Sequence, residues 1–185
     1  YYDYWLKGED NGWADERPVR VFVMGENVWR HEDEWPLQRA QVANYYFHSD
    51  GKANTQNGDG LLSPETPGDG PPDVYVYNPI DPVPTRGGGL CCDPAFLPSG
   101  AFDQREIESR PDVLVYSTPP LDRPIEVTGP VQVTLHASSS AADTDFTAKL
   151  VDVEPSGYSR NLADGIIRAR YRQPRQPASF IQPGQ

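Results

Sequence analysis

A proline or a glycine falls about once in every five residues of this chain, with twenty Pro and sixteen Gly among 185 residues. Proline breaks helices and glycine weakens them, so long helices are excluded over most of the length. What such punctuation permits is a series of short strands joined by turns. The length is enough for one domain with a core, and 37% hydrophobic residues separate the chain from a disordered segment.

The strands can be placed by pattern. Residues 19–24, Val-Arg-Val-Phe-Val-Met, form a β-branched run that predicts a buried strand. Residues 26–36 place Trp29 and Trp35 among charges and predict a loop. Short strands are predicted at 45–48, 74–77 and 112–116, and long turn-rich loops at 50–70 and 86–100. Val131, Val133, Leu135 and Ala137 alternate with polar residues and predict a strand with one wet face. Phe146, Ala148 and Leu150 alternate similarly. The turn Glu154-Pro155-Ser156-Gly157 follows, then a last strand at 166–171. Residues 1–7, ahead of Gly8, have the spacing of final helical turns. The fold class expected is all-β, a jelly-roll-like (galactose-binding-like) sandwich with a short N-terminal helix end.

The charge balance narrows function. A formal charge of −11 opposes nucleic-acid binding, which needs clustered Lys and Arg. No apolar run approaches a membrane span and no signal-peptide pattern opens the chain, so the expectation is no membrane partner and a cytoplasmic setting. The cysteines Cys91 and Cys92 are adjacent. Their Cα spacing of ~3.8 Å lies below the ~4.4–6.8 Å of ordinary disulfides, which predicts two free thiols.

Catalytic patterns fail one by one. A nucleophile elbow needs Gly on both sides of its Ser, and Gly157-Tyr158-Ser159 has Asn161 where the second Gly belongs. Ser49 and Lys52 match a Ser-x-x-Lys spacing, but in a turn rather than at a helix start. His31, His48 and His136 lie far apart without metal spacing. Asp50, Asn54, Asn57 and Asp59 carry oxygen donors, yet Leu61 stands where a calcium loop needs an acid, so turn chemistry explains them better. No catalytic residue, metal-ligand set or cofactor motif can be assigned. Asp143, Asp145 and Asp152 are placed to pair with Arg168 and Arg170 across neighbouring strands, a structural role.

An ordered set of segments points to a family. It includes Trp5-Leu6-Lys7-Gly8, Val21-Phe22-Val23-Met24-Gly25, Ser49-Asp50-Gly51-Lys52-Ala53-Asn54 and Tyr77-Asn78-Pro79-Ile80-Asp81-Pro82-Val83-Pro84-Thr85. Phe102-Asp103-Gln104-Arg105 and Val127-Thr128-Gly129-Pro130 follow, then Asp143 to Val153 and Asp164-Gly165-Ile166-Ile167-Arg168-Ala169-Arg170-Tyr171. Together they resemble the C-terminal β domain of the cocaine-esterase and X-Pro dipeptidyl-peptidase group of serine hydrolases. That group also includes α-amino-acid ester hydrolases and glutaryl acylases.

The resemblance implies that residues 1–18 are the end of a preceding hydrolase domain and its linker. Residues 19–185 would then be the β domain, short of its last strands. The partner implied is an N-terminal α/β-hydrolase domain of the same protein, carrying the triad and the small ester or peptide substrate. Unpaired strand edges make a homodimer a further possibility. By the same resemblance, Gly88, Gly89, Leu90 and Cys91 would help wall the acyl pocket; an ordinary surface loop is the competing reading. A stand-alone carbohydrate- or ligand-binding module, using exposed Trp13, Trp29 and Trp35, is the alternative from another class.

Overall fold

The computed structural model describes residues 1–91 and 93–184. The chain divides into two compact units, each considered by itself. The first comprises Tyr1–Ala43 and Asp122–Gln132. It opens with helix α1 (Tyr2–Lys7), closed by Gly8 in the left-handed conformation, as the sequence led one to expect. Strands β1 (Val19–Val23) and β2 (Val28–Glu32) then pair antiparallel, with Val21 opposite Arg30.

Strand β2 corrects the expectation of a loop at 26–36. Its charges hide the strand pattern, and the structure shows how they are accommodated. Glu32, 6% exposed, accepts hydrogen bonds from both Arg30 (2.6 Å) and Arg39. Arg30 also grips Glu126 with two nitrogens, at 2.6 and 3.0 Å. The buried carboxylate is therefore paired and not left as an isolated charge, which burial would penalise heavily. Val23 and Leu37 supply this unit's buried apolar side chains.

The second unit comprises Asn44–Leu121 and the chain from Val133 onward. Strand β3 (Tyr46–His48) pairs antiparallel with β4 (Leu61–Ser63), which lies inside the stretch expected to be loop at 50–70. Between them the chain turns tightly. Ser49 Oγ accepts from the Gly51 and Lys52 amides, while Asp59 accepts from the Asp50 amide. A short helix α2 (Arg105–Glu108) buries Ile107. Strands β5 (Asp145–Val153) and β6 (Ser159–Arg168) form the longest ladder, joined by the expected turn, where the Gly157 amide bonds the Glu154 carbonyl at 2.8 Å. Phe146, Ala148 and Leu150 are half-buried on one face of β5, in keeping with their alternation.

Three two-stranded ladders are the named sheets among the described residues. The expected strands at 74–77 and 131–137 are not among them, and Val74, Val76, Val133 and Leu135 are exposed. Alternation records which face a segment can bury, but a strand also needs a neighbour to bond with. The segment 112–116 fares differently. Leu114 bridges Asn54, and Ser117 bridges Leu61, so it pairs in interrupted fashion around the 55–59 turn.

Candidate functional site

The loop singled out from the sequence has a closed base. The Gly88 amide donates to the Gly100 carbonyl at 2.7 Å, and the Gly100 amide donates back to the Gly88 carbonyl at 3.0 Å. Residues 88–100 thus leave and return at one point, the topology of an Ω-loop. The two residues at the near side of that closure have positive φ, +70° at Gly87 and +87° at Gly88. A Cβ on Gly87 would stand 2.5 Å from the Gly100 carbonyl oxygen, and one on Gly88 would stand 2.6 Å from Asp164 Oδ2. The left-handed backbone favours glycine at both positions, and at Gly87 the fixed carbonyl oxygen leaves no room for a Cβ either.

Of the expected pocket residues, Gly88 sits in the closure and is half-buried. Gly89 is exposed, Leu90 half-buried and Cys91 exposed. Cys91 is disulfide-bonded, which corrects the expectation of a free thiol there. Cys92 lies outside the described residues.

Beneath the loop base lies a buried polar hub that the sequence reading missed. Gln104 is 1% exposed, and Asn161 and Ser159 are also buried. Gln104 Nε2 faces the carbonyl oxygens of Arg86 (2.9 Å) and Phe102 (3.0 Å) and Asn161 Oδ1 (3.3 Å). Gln104 Oε1 accepts from Lys149 Nζ at 2.7 Å. Asn161 Oδ1 also accepts from the Phe102 amide at 2.6 Å, and Ser159 Oγ donates to Glu108 at 2.8 Å. No buried side-chain polar atom among the described residues lacks a partner, as buried polar groups require. At the rim, Arg86 pairs with Glu106 at 2.5 Å. Burial pulls the Lys149 ammonium below its usual pKa, against the opposing pull of Asp164 and Glu108. The Arg105 guanidinium, hydrogen-bonded to Asp103, holds that carboxyl down at about 2.

The only sequence signal for the hub was the Phe102-Asp103-Gln104-Arg105 motif itself. The partners of Gln104 outside that motif stand 18 to 57 residues away along the chain, beyond any local pattern.

The other sequence candidates are placed as follows. Asp145 pairs with Arg168 (2.7 Å) and Asp143 with Arg170 (2.5 Å), as expected. Asp152 lies seven residues along β5 from the Asp145–Arg168 pair and so meets neither expected arginine; the register shift between Leu150 and Val151 sets it opposite Arg160 in place of Asn161. Ser49 and Lys52 form a turn rather than a catalytic pair: the Ser49 hydroxyl faces Asp59 and Asp73. His48 Nε2 lies 2.8 Å from the Glu65 carbonyl. Among the described residues no hydrogen bond joins a Ser hydroxyl to a His ring, and no group of three or more His, Cys, Asp or Glu is placed to hold a metal. Trp29 lies under Arg20, 4.6 Å from its guanidinium carbon, and Trp13 packs edge-on against Tyr1 at 5.1 Å. No helix of the described residues is long and apolar enough to cross a membrane.

Short strands and a glycine loop closed at its base by two backbone bonds define an all-β class of domain among the described residues. More particularly, the chain belongs to the family of X-Pro dipeptidyl-peptidase C-terminal non-catalytic domains, whose model matches residues 11–185. It is 46% identical over its whole length to the cocaine esterase of Rhodococcus sp. (strain MB1 Bresler), covering 32% of that protein. It is 32% identical over 182 residues to a putative serine esterase of Mycobacterium bovis, covering 94% of this chain and 26% of that one. Among solved structures, a selenomethionine-labelled α-amino acid ester hydrolase matches with a TM-score of 0.74 and 28% identity, over 92% of this chain and 29% of the other. The likeness supports the expected β-sandwich class. The chain spans about a third or less of the length of these relatives.

Proposed function

We propose that this domain serves a serine hydrolase: it docks on an α/β-hydrolase domain of the same protein, and residues Gly88, Gly89, Leu90 and Cys91 help wall the acyl pocket. The reaction would be hydrolysis of a small ester, or of an amide such as an X-Pro peptide bond, through an acyl-enzyme formed on the other domain. The contribution of the β domain is shape and exclusion of water, with no group of its own in the bond-breaking step.

The observation that carries the docking is the amount of surface left uncovered. A folded monomer of this length exposes roughly 9,000 Å². This chain exposes 14465 Å², including Val74, Val76, Ile125, Val127 and Ile166, all more than half exposed. Large apolar side chains left exposed in this number call for a partner to cover them. Two thirds of the esterase relative's length lies outside the matched region and is large enough to provide one.

The test compares this chain with the full-length protein on a p-nitrophenyl ester and an X-Pro p-nitroanilide. Turnover only by the full-length protein supports the reading, and the substrate cleaved identifies the bond. Turnover by this chain alone overturns it. Leu90→Ala in the full-length protein tests the loop: a changed acyl preference supports the pocket, and an unchanged one rejects it.

A further inference from the structure

The hub under the loop has a polarity that filling space does not require. The Gln104 amide carries two hydrogens, and its Nε2 faces three oxygen acceptors. Its oxygen faces the Lys149 ammonium. If the amide were turned over, its NH2 would meet the cation and its oxygen would meet three oxygens. Lys149 and the three acceptors together fix which way Gln104 points, and Gln104 then holds both ends of the loop. Arg86 is the residue before Gly87 on the way in, and Phe102 is two residues past Gly100 on the way out. Lys149 and Asp164 are register partners in the β5–β6 ladder, and the Asp164 carboxylate lies against Gly88. The ladder therefore meets the loop base at two adjoining points.

We propose that Gln104, oriented by Lys149, is a positioning residue that fixes where Leu90 stands and so sets the acyl preference of the full-length hydrolase. This rests on the reading above that the loop walls the acyl pocket. Neither side chain needs to touch substrate. Losing the Lys149 bond leaves the buried Gln104 Oε1 without its donor, so the amide shifts to find another, which strains its bond to the Arg86 carbonyl and lets the loop base move. Displacement of a pocket wall changes the fit of bulky acyl groups more than that of small ones.

The experiment measures kcat/KM of the full-length protein for p-nitrophenyl benzoate and p-nitrophenyl acetate. The variants are Lys149→Met, Lys149→Arg, Gln104→Leu and Leu90→Ala, each with its Tm. Lys149→Met is expected to change the benzoate-to-acetate ratio about fivefold, the factor that one lost hydrogen bond of about 1 kcal/mol represents. Lys149→Arg, which keeps a cationic donor, is expected to restore most of the ratio. Gln104→Leu should move the ratio in the same direction; should it fail to fold, Lys149→Met carries the test. A merely structural role would lower Tm and both rates together and leave the ratio alone. If Leu90→Ala shifts the ratio and Lys149→Met does not, the positioning role is overturned while the pocket stands. If Leu90→Ala leaves the ratio unchanged, the pocket reading falls, and the positioning role with it.

Discussion

Gly87→Ala is expected to cost the loop base considerably more than Gly88→Ala, although both glycines have positive φ. The left-handed conformation costs a residue with a Cβ roughly 1–2 kcal/mol. Both substitutions carry that penalty, and they differ in what the new Cβ meets. At position 88 it meets Asp164 Oδ2 at 2.6 Å, the end of an exposed side chain that can swing aside. At position 87 it meets the Gly100 carbonyl oxygen at 2.5 Å and Phe102 Cδ2 at 2.8 Å. That carbonyl accepts the Gly88 amide, so moving it breaks the pair of bonds that closes the loop. Each lost bond costs about 1 kcal/mol. Gly88→Ala should therefore cost about 1–2 kcal/mol and Gly87→Ala about 3–4 kcal/mol. For a domain of this size these correspond to Tm losses of roughly 3–6 °C and roughly 10 °C. The assay is thermal unfolding of the wild type, both single variants and the double variant Gly88→Ala/Asp164→Ala. The double variant should recover at most the contact with Asp164 and keep the backbone penalty. Equal losses at the two positions, or a neutral Gly87→Ala, would refute the reasoning.

Further predictions concern the charged and polar contacts. The Arg39 hydrogen bond, seconded by Arg30, holds Glu32 at about 2, so its contribution to stability is complete above its usual value near 4.5 and is lost as pH falls from there towards about 2. Glu32→Gln should accordingly flatten the acid limb of Tm against pH; an unaltered limb would contradict this. Asp143→Asn should lower Tm more than Asp145→Asn, because Asp143 is less exposed and also accepts from the Arg170 amide. Unfolding in low and high salt gives the check, and an unchanged Tm in both variants would dismiss the ladder pairs as stabilising. Tyr116→Phe removes a 2.6 Å bond to the Asp73 carboxylate, which also takes the Ser49 hydroxyl and the Ala53 amide. A loss of about 1–3 kcal/mol is expected. Urea unfolding measures it, and a loss below about 0.5 kcal/mol would show that the bond is not what orders the 49–59 turn.

What could be read from the sequence was what is local. The β5–β6 hairpin announced itself through alternation on one side and Glu154-Pro155-Ser156-Gly157 at the corner, since both signals arise within a few residues. Charge offered Asp143, Asp145 and Asp152 as partners for Arg168 and Arg170, but which acid meets which arginine depends on a register that shifts within the ladder. Strand β2 was hidden because Arg30 and Glu32 look like surface charges until Arg39 and Glu126 are known to neutralise them. The resemblance carried the family and the candidate loop, because an ordered set of short motifs survives where no single motif decides.

The sequence by itself determined a strand-and-turn fold without long helices, since Pro and Gly act on the backbone at their own positions. It also determined that no nucleophile elbow is present, since that chemistry requires contiguous residues. Only the tertiary structure decided that Asp152 faces Arg160, because a single extra residue in the ladder shifts the pairing beyond it. It alone decided that Gln104, Asn161 and Lys149 meet beneath the loop. A buried amide is satisfied by whatever donors and acceptors the folded chain brings to it, and these come from Arg86, Phe102 and the two strands of a distant hairpin.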